Sequence, residues 1–364
     1  MERFRACFGA LADPRTGNAQ RHELLEVLLI ALCATLCGAE TCVDMAEFGA
    51  AKEPFLRRFL KLPGGIPSHD TFSRLFRLLD PAAFEACFAL FVAAFAARID
   101  DVVAIDGKTV RRSFDRKAGA SPLHLVSAWS CEQRLVLAQR KVDGHSNEMA
   151  AVPELLGMLA LEGRIVTADA MHCQKATARA ILDRGGDYVL ALKANQPALL
   201  EDVRLLLDDP AAAPDDVAQT VDGDHGRIET RRAEIVHDVA WLAEAHDWPG
   251  LAAVGKLTAT REIDGQATTS TRYHLLSKSL PAARFAETVR AHWQIENRLH
   301  WVLDVVMDED QSRARKDHAP ENLARLRRFA LNLIRANPDK GSTRGKIKRA
   351  GWDDTFLLKI LQAA

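Results

Sequence analysis

Three acids, Asp106, Asp169 and Glu296, have the types and positions that could do chemistry. Asp106 closes a short apolar run, Asp101–Ile105, and Asp169 closes another, Arg164–Ala168. Glu296 lies between two tryptophans in RAHWQIENRLHWVLDVVMDED, which runs from Arg290 to Asp310. That stretch has no proline or glycine, and Trp293, Leu299, Val302, Leu303 and Val306 recur at helical spacing, so it reads as one amphipathic helix. Along it His292, Glu296, His300 and Asp304 follow at four-residue steps, each only about 40° past a full turn, which makes them surface neighbours. An ionised carboxylate on a half-buried face is costly unless it is paired or bound to a cation. Three carboxylates brought together cannot all stay ionised without cations. Hard divalent ions with oxygen ligands, Mg²⁺ above all, resolve that conflict, and two of them about 4 Å apart suit in-line phosphoryl displacement. Lys108, Arg111, Arg112, Lys193 and Arg227 are the nearby cations that would hold a polyanionic substrate. The competing reading is plain: charges along a helix usually form its solvated face.

The elements that must position these acids are legible in outline. Residues 1–98 read as all-helical, with helices at Arg21–Cys37, within Asp44–Leu60, at Ser68–Leu79, and after Asp80-Pro81, where Asp is the N-cap and Pro the first helical residue. The Ser68–Leu79 helix turns Phe72, Leu75 and Phe76 inward and leaves Arg74 and Arg77 outward. It suits either a DNA groove or an ordinary bundle. From residue 100 strands and helices alternate. Strands are expected at 101–105, 124–130 and 134–142, a helix at 147–161, and a strand–helix–strand unit at 164–192, whose crossover is right-handed. Sites in such sheets form outside the carboxyl ends of the strands, where Asp106 and Asp169 sit. Residues 205–224 read as an acidic loop, and 225–277 as an antiparallel β insertion. From Arg325 to Arg349 nine basic residues face one acid, Asp339, the footprint of a basic tail that meets a phosphate backbone.

Composition sets bounds. The chain has 364 residues, 48% hydrophobic and 27% charged, with a formal net charge of −1, which argues against a wholly basic binder but leaves local basic patches open. Seven cysteines without a C-x-x-C pair suggest a reduced, intracellular protein. The apolar runs at 27–37 and 86–97 are too short to span a bilayer, and the first residues lack a secretion core. A cytoplasmic, nucleoid-associated location and no membrane partner are expected.

AIDGK around Asp106, TADAMHCQ around Asp169, ALKANQ at 191–196, HGRIETR at 225–231 and HWQIENRLHWVLDVVMDED at 292–310 together resemble a DDE-type insertion-sequence transposase. The branch is that of the H-repeat-associated proteins, and the resemblance covers nearly the whole chain. It implies an α/β, ribonuclease-H-like catalytic core over 99–335 with a β-rich insertion at about 205–280. An all-helical, DNA-end-binding domain precedes it at 1–98, and a basic tail follows at 336–364. It implies that Asp106, Asp169 and Glu296 are the catalytic acids and bind two Mg²⁺ (or Mn²⁺). It also implies that the protein cuts and joins strands of double-stranded DNA at terminal inverted repeats and at a target, working as a dimer in a synaptic complex. No nucleotide cofactor is expected, because transesterification conserves the phosphodiester bond. The wider superfamily's Tyr, Arg and Lys around the glutamate are replaced here by Val289, His292 and Leu303. Those roles do not transfer, and His292, Asn297 and His300 either substitute or merely pack. The alternatives are a non-catalytic or decayed sequence-specific DNA-binding protein, and a zinc hydrolase using His292, Glu296 and His300. Eight helical residues separate the two histidines by about 12 Å, too far for one tetrahedral ion.

Overall fold

Among the described residues, alternating apolar runs produce nine strands: β1 (Val102–Val110), β2 (Leu123–Ser130), β3 (Leu135–Val142), β4 (Ile165–Ala168), β5 (Asp187–Leu192), β6 (Asp216–Asp224), β7 (Arg227–Val236), β8 (Ala253–Ile263) and β9 (Gln266–Leu276). They form one sheet in the order β3-β2-β1-β4-β5-β9-β8-β7-β6. β1 pairs in parallel with β4, and β4 with β5, while β2 and β3 run antiparallel beside them. β5 then pairs antiparallel with β9, which brings the insertion hairpins into the same sheet. The computed structural model describes residues 2–93, 101–115, 119, 121–142, 148–209, 213–224 and 227–362. The expected domain boundary at 98/99 lies outside them, as do His225 and Gly226 of HGRIETR.

The helices are α1 (Glu2–Phe8), α2 (Leu24–Leu36), α3 (Cys42–Ala51), α4 (Glu53–Leu56), α5 (His69–Leu78), α6 (Pro81–Ala93), α7 (Glu148–Gly157), α8 (Lys175–Leu182), α9 (Pro197–Asp208), α10 (Ala240–Ala245), α11 (Ala282–His292), α12 (Trp301–Val305), α13 (Ala319–Ala336), α14 (Thr343–Trp352) and α15 (Asp354–Gln362). Asp80 caps α6 as its sequence predicts, accepting a hydrogen bond from the Ala83 amide at 2.9 Å. Phe72, Leu75 and Phe76 of α5 are fully buried, as their spacing requires. One continuous apolar core runs from Phe8 and the α2 leucines through Phe88 and Phe329 to Val103 of the central strand. The N-terminal helices are thereby welded to the sheet by α13.

Three expectations change. The 290–310 helix is not continuous: α11 ends at His292, a π-helical turn occupies Ile295–His300, and α12 ends at Val305. A π turn has one residue more per hydrogen-bonded ring than an α turn and is common at functional sites. The acidic loop at 205–224 is largely α9 and β6, because Leu199, Leu200, Val203 and Leu207 give α9 a buried face. The basic tail is folded: Arg325, Arg327 and Arg328 are buried in α13, and α14 and α15 pack onto it. Arg325 forms an ion pair with buried Glu85 of α6, which also accepts from the Gln139 amide at 3.0 Å. Among the described residues no helix is long and apolar enough to cross a membrane.

Gly255 of β8 lets α11 approach the sheet. A Cβ there would lie 2.6 Å from the Phe285 ring, inside van der Waals contact. Overpacking of this kind costs about 1–3 kcal/mol. Gly255→Ala is therefore expected to lower the unfolding free energy by that amount and the urea midpoint with it, and an unchanged midpoint would show that α11 shifts without strain.

Candidate active site

The site is built where β1, β4 and the π turn converge. Asp106 lies within β1, opposite Ser127 of β2 and just past the last β1–β4 pair, Ile105 with Ala168. Asp169 is the first residue after β4, and Glu296 is the second of the π turn. One donor atom from each of Asp106, Glu296 and His300 lies within 4.8 Å of the other two. His300 Nδ1 is 3.4 Å from Asp106 Oδ2 and 3.9 Å from Glu296 Oε2. Asp169 is not in that tight group but lines the same cavity, about 250 Å³, together with Asp106, Glu296, His292, Lys193 and Arg272.

The electrostatics follow from crowding. Burial, and then the Glu296 and Asp169 charges, push the Asp106 carboxyl up to about 8. Glu296 is held below its ordinary range, chiefly by the His300 imidazole 3.9 Å away, against the effect of burial. Burial pushes His292 down to about 4 despite Asp169 and Glu296, so its ring is neutral at pH 7, and its Nδ1 shares a hydrogen bond of 3.0 Å with Thr167 Oγ1. Asp169 Oδ1 is buried without a hydrogen-bond partner. An orphaned carboxylate oxygen beside an acid that cannot comfortably ionise is an oxygen-donor site short of positive charge, which fits a hard cation.

The sequence motifs also act as struts. Asn195 Nδ2 donates to the Ala170 carbonyl at 2.6 Å, and Gln196 Nε2 to the Cys173 carbonyl at 3.2 Å, so ALKANQ fixes the loop that carries Asp169. Lys193, at the start of that motif, is exposed at the cavity.

Not every expected DNA contact is free. Lys108 is only 7% exposed, and its ammonium is held by Asp304 at 2.6 Å, Asp310 at 3.2 Å and Glu309 at 3.3 Å. Burial alone would lower its pKa, but those carboxylates outweigh burial and raise it. It is a structural ion, and the same contacts engage the three acids downstream of Glu296. Arg77 is tied to Asp317 at 2.7 Å, while Arg74 is exposed. Arg111 is exposed with one contact to Asp310 at 3.2 Å, Arg112 is exposed, and Arg227 is exposed along a neighbouring groove. Asn297 lies on the face away from the acids, where it lines that groove. Sequence reasoning missed Arg272 and Thr167 at the cavity. Strand alternation placed both, but only the pairing of β5 with β9 brings Arg272 there.

Comparison with known proteins gives the family. Residues 98–333 match the transposase DDE domain model, and residues 5–92 match the model of the region associated with it. A protein of Xanthobacter autotrophicus described as an "uncharacterized protein in dhlA 3'region" is 49% identical over 276 residues, 74% of this chain and 92% of that one. The Escherichia coli K12 "H repeat-associated putative transposase YhhI" is 37% identical over 361 residues, 96% of this chain and 95% of that one. The chain belongs to the DDE transposase family, in the company of the H-repeat-associated proteins. A piggyBac transposase in a synaptic complex with hairpin DNA aligns with TM-score 0.44 at 11% identity, over 99% of this chain and 77% of that one, and no residue role is taken from it.

Glu309 is fully buried against Arg328, 2.6 Å away, and against Lys108. Burial would raise its pKa, but Arg328 and Lys108 bring it down to about 2. Breaking such a pair costs roughly 3–5 kcal/mol, so Glu309→Gln is expected to lose that much in urea unfolding at pH 7. A carboxyl depressed on folding stabilises above its unfolded pKa of about 4.3 and loses that contribution as pH falls towards its folded value. The gap between wild type and variant should therefore narrow from about pH 4.5 downwards. A gap that stays constant to pH 3 would refute the assignment.

Proposed function

We propose that this protein cuts and joins DNA strands at the terminal inverted repeats of an insertion sequence by metal-dependent phosphoryl transfer. Asp106, Asp169 and Glu296 are the catalytic acids and would hold two Mg²⁺ (or Mn²⁺). The observation that carries this reading is the convergence of the three acids on one cavity, with Asp106 pushed towards its neutral form and a buried Asp169 oxygen left without a hydrogen bond. Bound in pairs, such ions lower the pKa of an attacking water or 3′-hydroxyl and stabilise the leaving oxygen.

The chain's own groups prepare that chemistry. His300 lies between Asp106 and Glu296 and orients both carboxylates through Nδ1. Thr167 fixes the neutral His292 ring in the cavity wall. Lys193 and Arg272 line the cavity and supply positive charge for a phosphate of the substrate strand. Arg111, Arg112 and Arg227 extend that charge outward, and Arg74 of α5 offers an exposed cation for the element ends. Two ends must be joined in one event, so the working form is a dimer on double-stranded DNA, and no nucleotide is consumed.

The test is nicking of a labelled duplex that carries the ends flanking the gene, in Mg²⁺. Substituting groups that only support a metal's ligands typically costs about 10–100-fold, so Asp106→Asn, Asp169→Asn and Glu296→Gln, which alter ligands themselves, are each expected to lose more than about 100-fold. DNA retention should persist in all three. EDTA should abolish nicking by the wild type. Retained nicking in the Glu296 variant, or in EDTA, sinks the two-metal reading. Binding without nicking by any form favours a decayed, binding-only protein.

A further inference from the structure

On the side of the π turn away from Glu296 lies a second pocket, about 290 Å³. Three arginines from distant parts of the chain meet there: Arg134 from the β2–β3 turn, Arg298 from the π turn and Arg335 from α13. Arg335 is the floor, donating to the Arg134 carbonyl at 3.2 Å and to the Arg298 carbonyl, with its guanidinium 4.6 Å from the centre of the Trp129 ring. Lys346 adds a fourth cation, its ammonium satisfied only by the Asn337 and Ile334 carbonyls. The α14 N-terminus is adjacent through Gly341 and Thr343, with its helix dipole positive at that end. Among the described residues no carboxylate lines the pocket.

We propose that this pocket binds a backbone phosphate of the DNA and anchors the duplex beside the third acid. Like charges collected without counter-ions destabilise one another, and an anion relieves that cost. The strain is visible in Arg335, whose pKa is brought down to about 9 by burial first and then by Arg134 and Arg298.

Two observations select DNA rather than a free anion. Asn297 and Arg298 line both this pocket and a larger groove of about 830 Å³. That groove meets the acidic cavity at Arg272, Val289 and Trp293, so one surface runs from the acids to the pocket. The groove's own arginines are partly spent: Arg231 is paired with Asp222 at 2.5 Å and Glu229 at 2.9 Å, and Arg290 with Asp222 at 2.8 Å. Among the described residues Arg272 stays unpaired at the end near the acids, and a second group of unpaired cations lies at the far end, in the pocket. Because Arg298 is two residues from Glu296, a phosphate held there would set the register of the strand against the acids. The inference rests on the transposase reading for its substrate, but its test does not need cleavage.

The experiment is duplex binding against salt concentration, in EDTA, for the wild type, Arg134→Asn and Arg298→Gln. Asn is chosen because Arg134 has φ +58°, a conformation Asn tolerates. One phosphate contact contributes about 0.9 to the slope of log K against log salt. Each variant should therefore lose about 0.9 in slope and roughly eight-fold in affinity at 0.1 M salt, equally on end-bearing and unrelated duplexes. Arg179→Gln, an exposed arginine paired with Asp247 at 3.5 Å, should keep the wild-type slope. Slopes and affinities unchanged in both pocket variants, with wild-type melting temperatures, overturn the proposal. So does a wild type that fails to bind duplex DNA. Unchanged DNA binding together with inorganic phosphate that raises the melting temperature of wild type alone would assign the pocket to a free anion instead. A wild type that shows the slope effect yet never nicks in Mg²⁺ would leave the pocket standing and remove the catalytic reading.

Discussion

The Lys108 ammonium and the Glu309 carboxylate are the pair on which the site's geometry depends. Lys108 is two residues past Asp106 on the central strand, and Glu309 lies just beyond the helix that carries Glu296. Joined at 3.3 Å, and backed by Arg328 from α13, they bolt three elements together beside the acids. Charges so deeply buried persist only when each finds its counter-charge, because desolvation otherwise exceeds the attraction. The arrangement therefore tolerates little drift between β1 and the Glu296 segment. A site that needs oxygens placed within fractions of an ångström benefits from that rigidity.

The π turn makes the complementary adjustment. It interrupts the helix that follows the insertion hairpins and presents opposite faces to different tasks. Glu296 and His300 turn towards Asp106, while Asn297 and Arg298 turn to the outer groove. The β insertion contributes by continuing the sheet rather than standing apart from it. Pairing β5 with β9 brings Arg272 and His274 to the cavity wall, so residues from 106 to 296 share one wall of 250 Å³.

Much of this was legible in the chain. Asp169 at the end of β4, the parallel strand–helix–strand unit, the helical N-terminus and the antiparallel insertion follow from local patterns of apolar spacing and turn residues. Asp106 was expected at a strand end too, but β1 runs on to Val110 because its pairing with β2 continues past Asp106. The acidic segment 205–224 was misread because its charges masked the leucine face of α9, which is buried only against later strands. The π turn at Ile295–His300 carries no proline or glycine, so nothing local announces it. It arises from seating Ile295, Leu299 and His300 in the interior at once.

What the sequence by itself determined is the set of acids, their order and the elements that bear them, because hydrophobic period and strand ends are local properties. What only the tertiary structure decided is which cations remain free. Lys108, Arg77, Arg325 and Arg328 look like phosphate binders in the chain and are consumed by partners up to 240 residues away. Arg134 and Arg298 look unremarkable, yet they meet Arg335 of the basic 325–349 segment in a pocket whose described lining holds no carboxylate. Charge compensation is a matter of distance in space, and no local spacing encodes it.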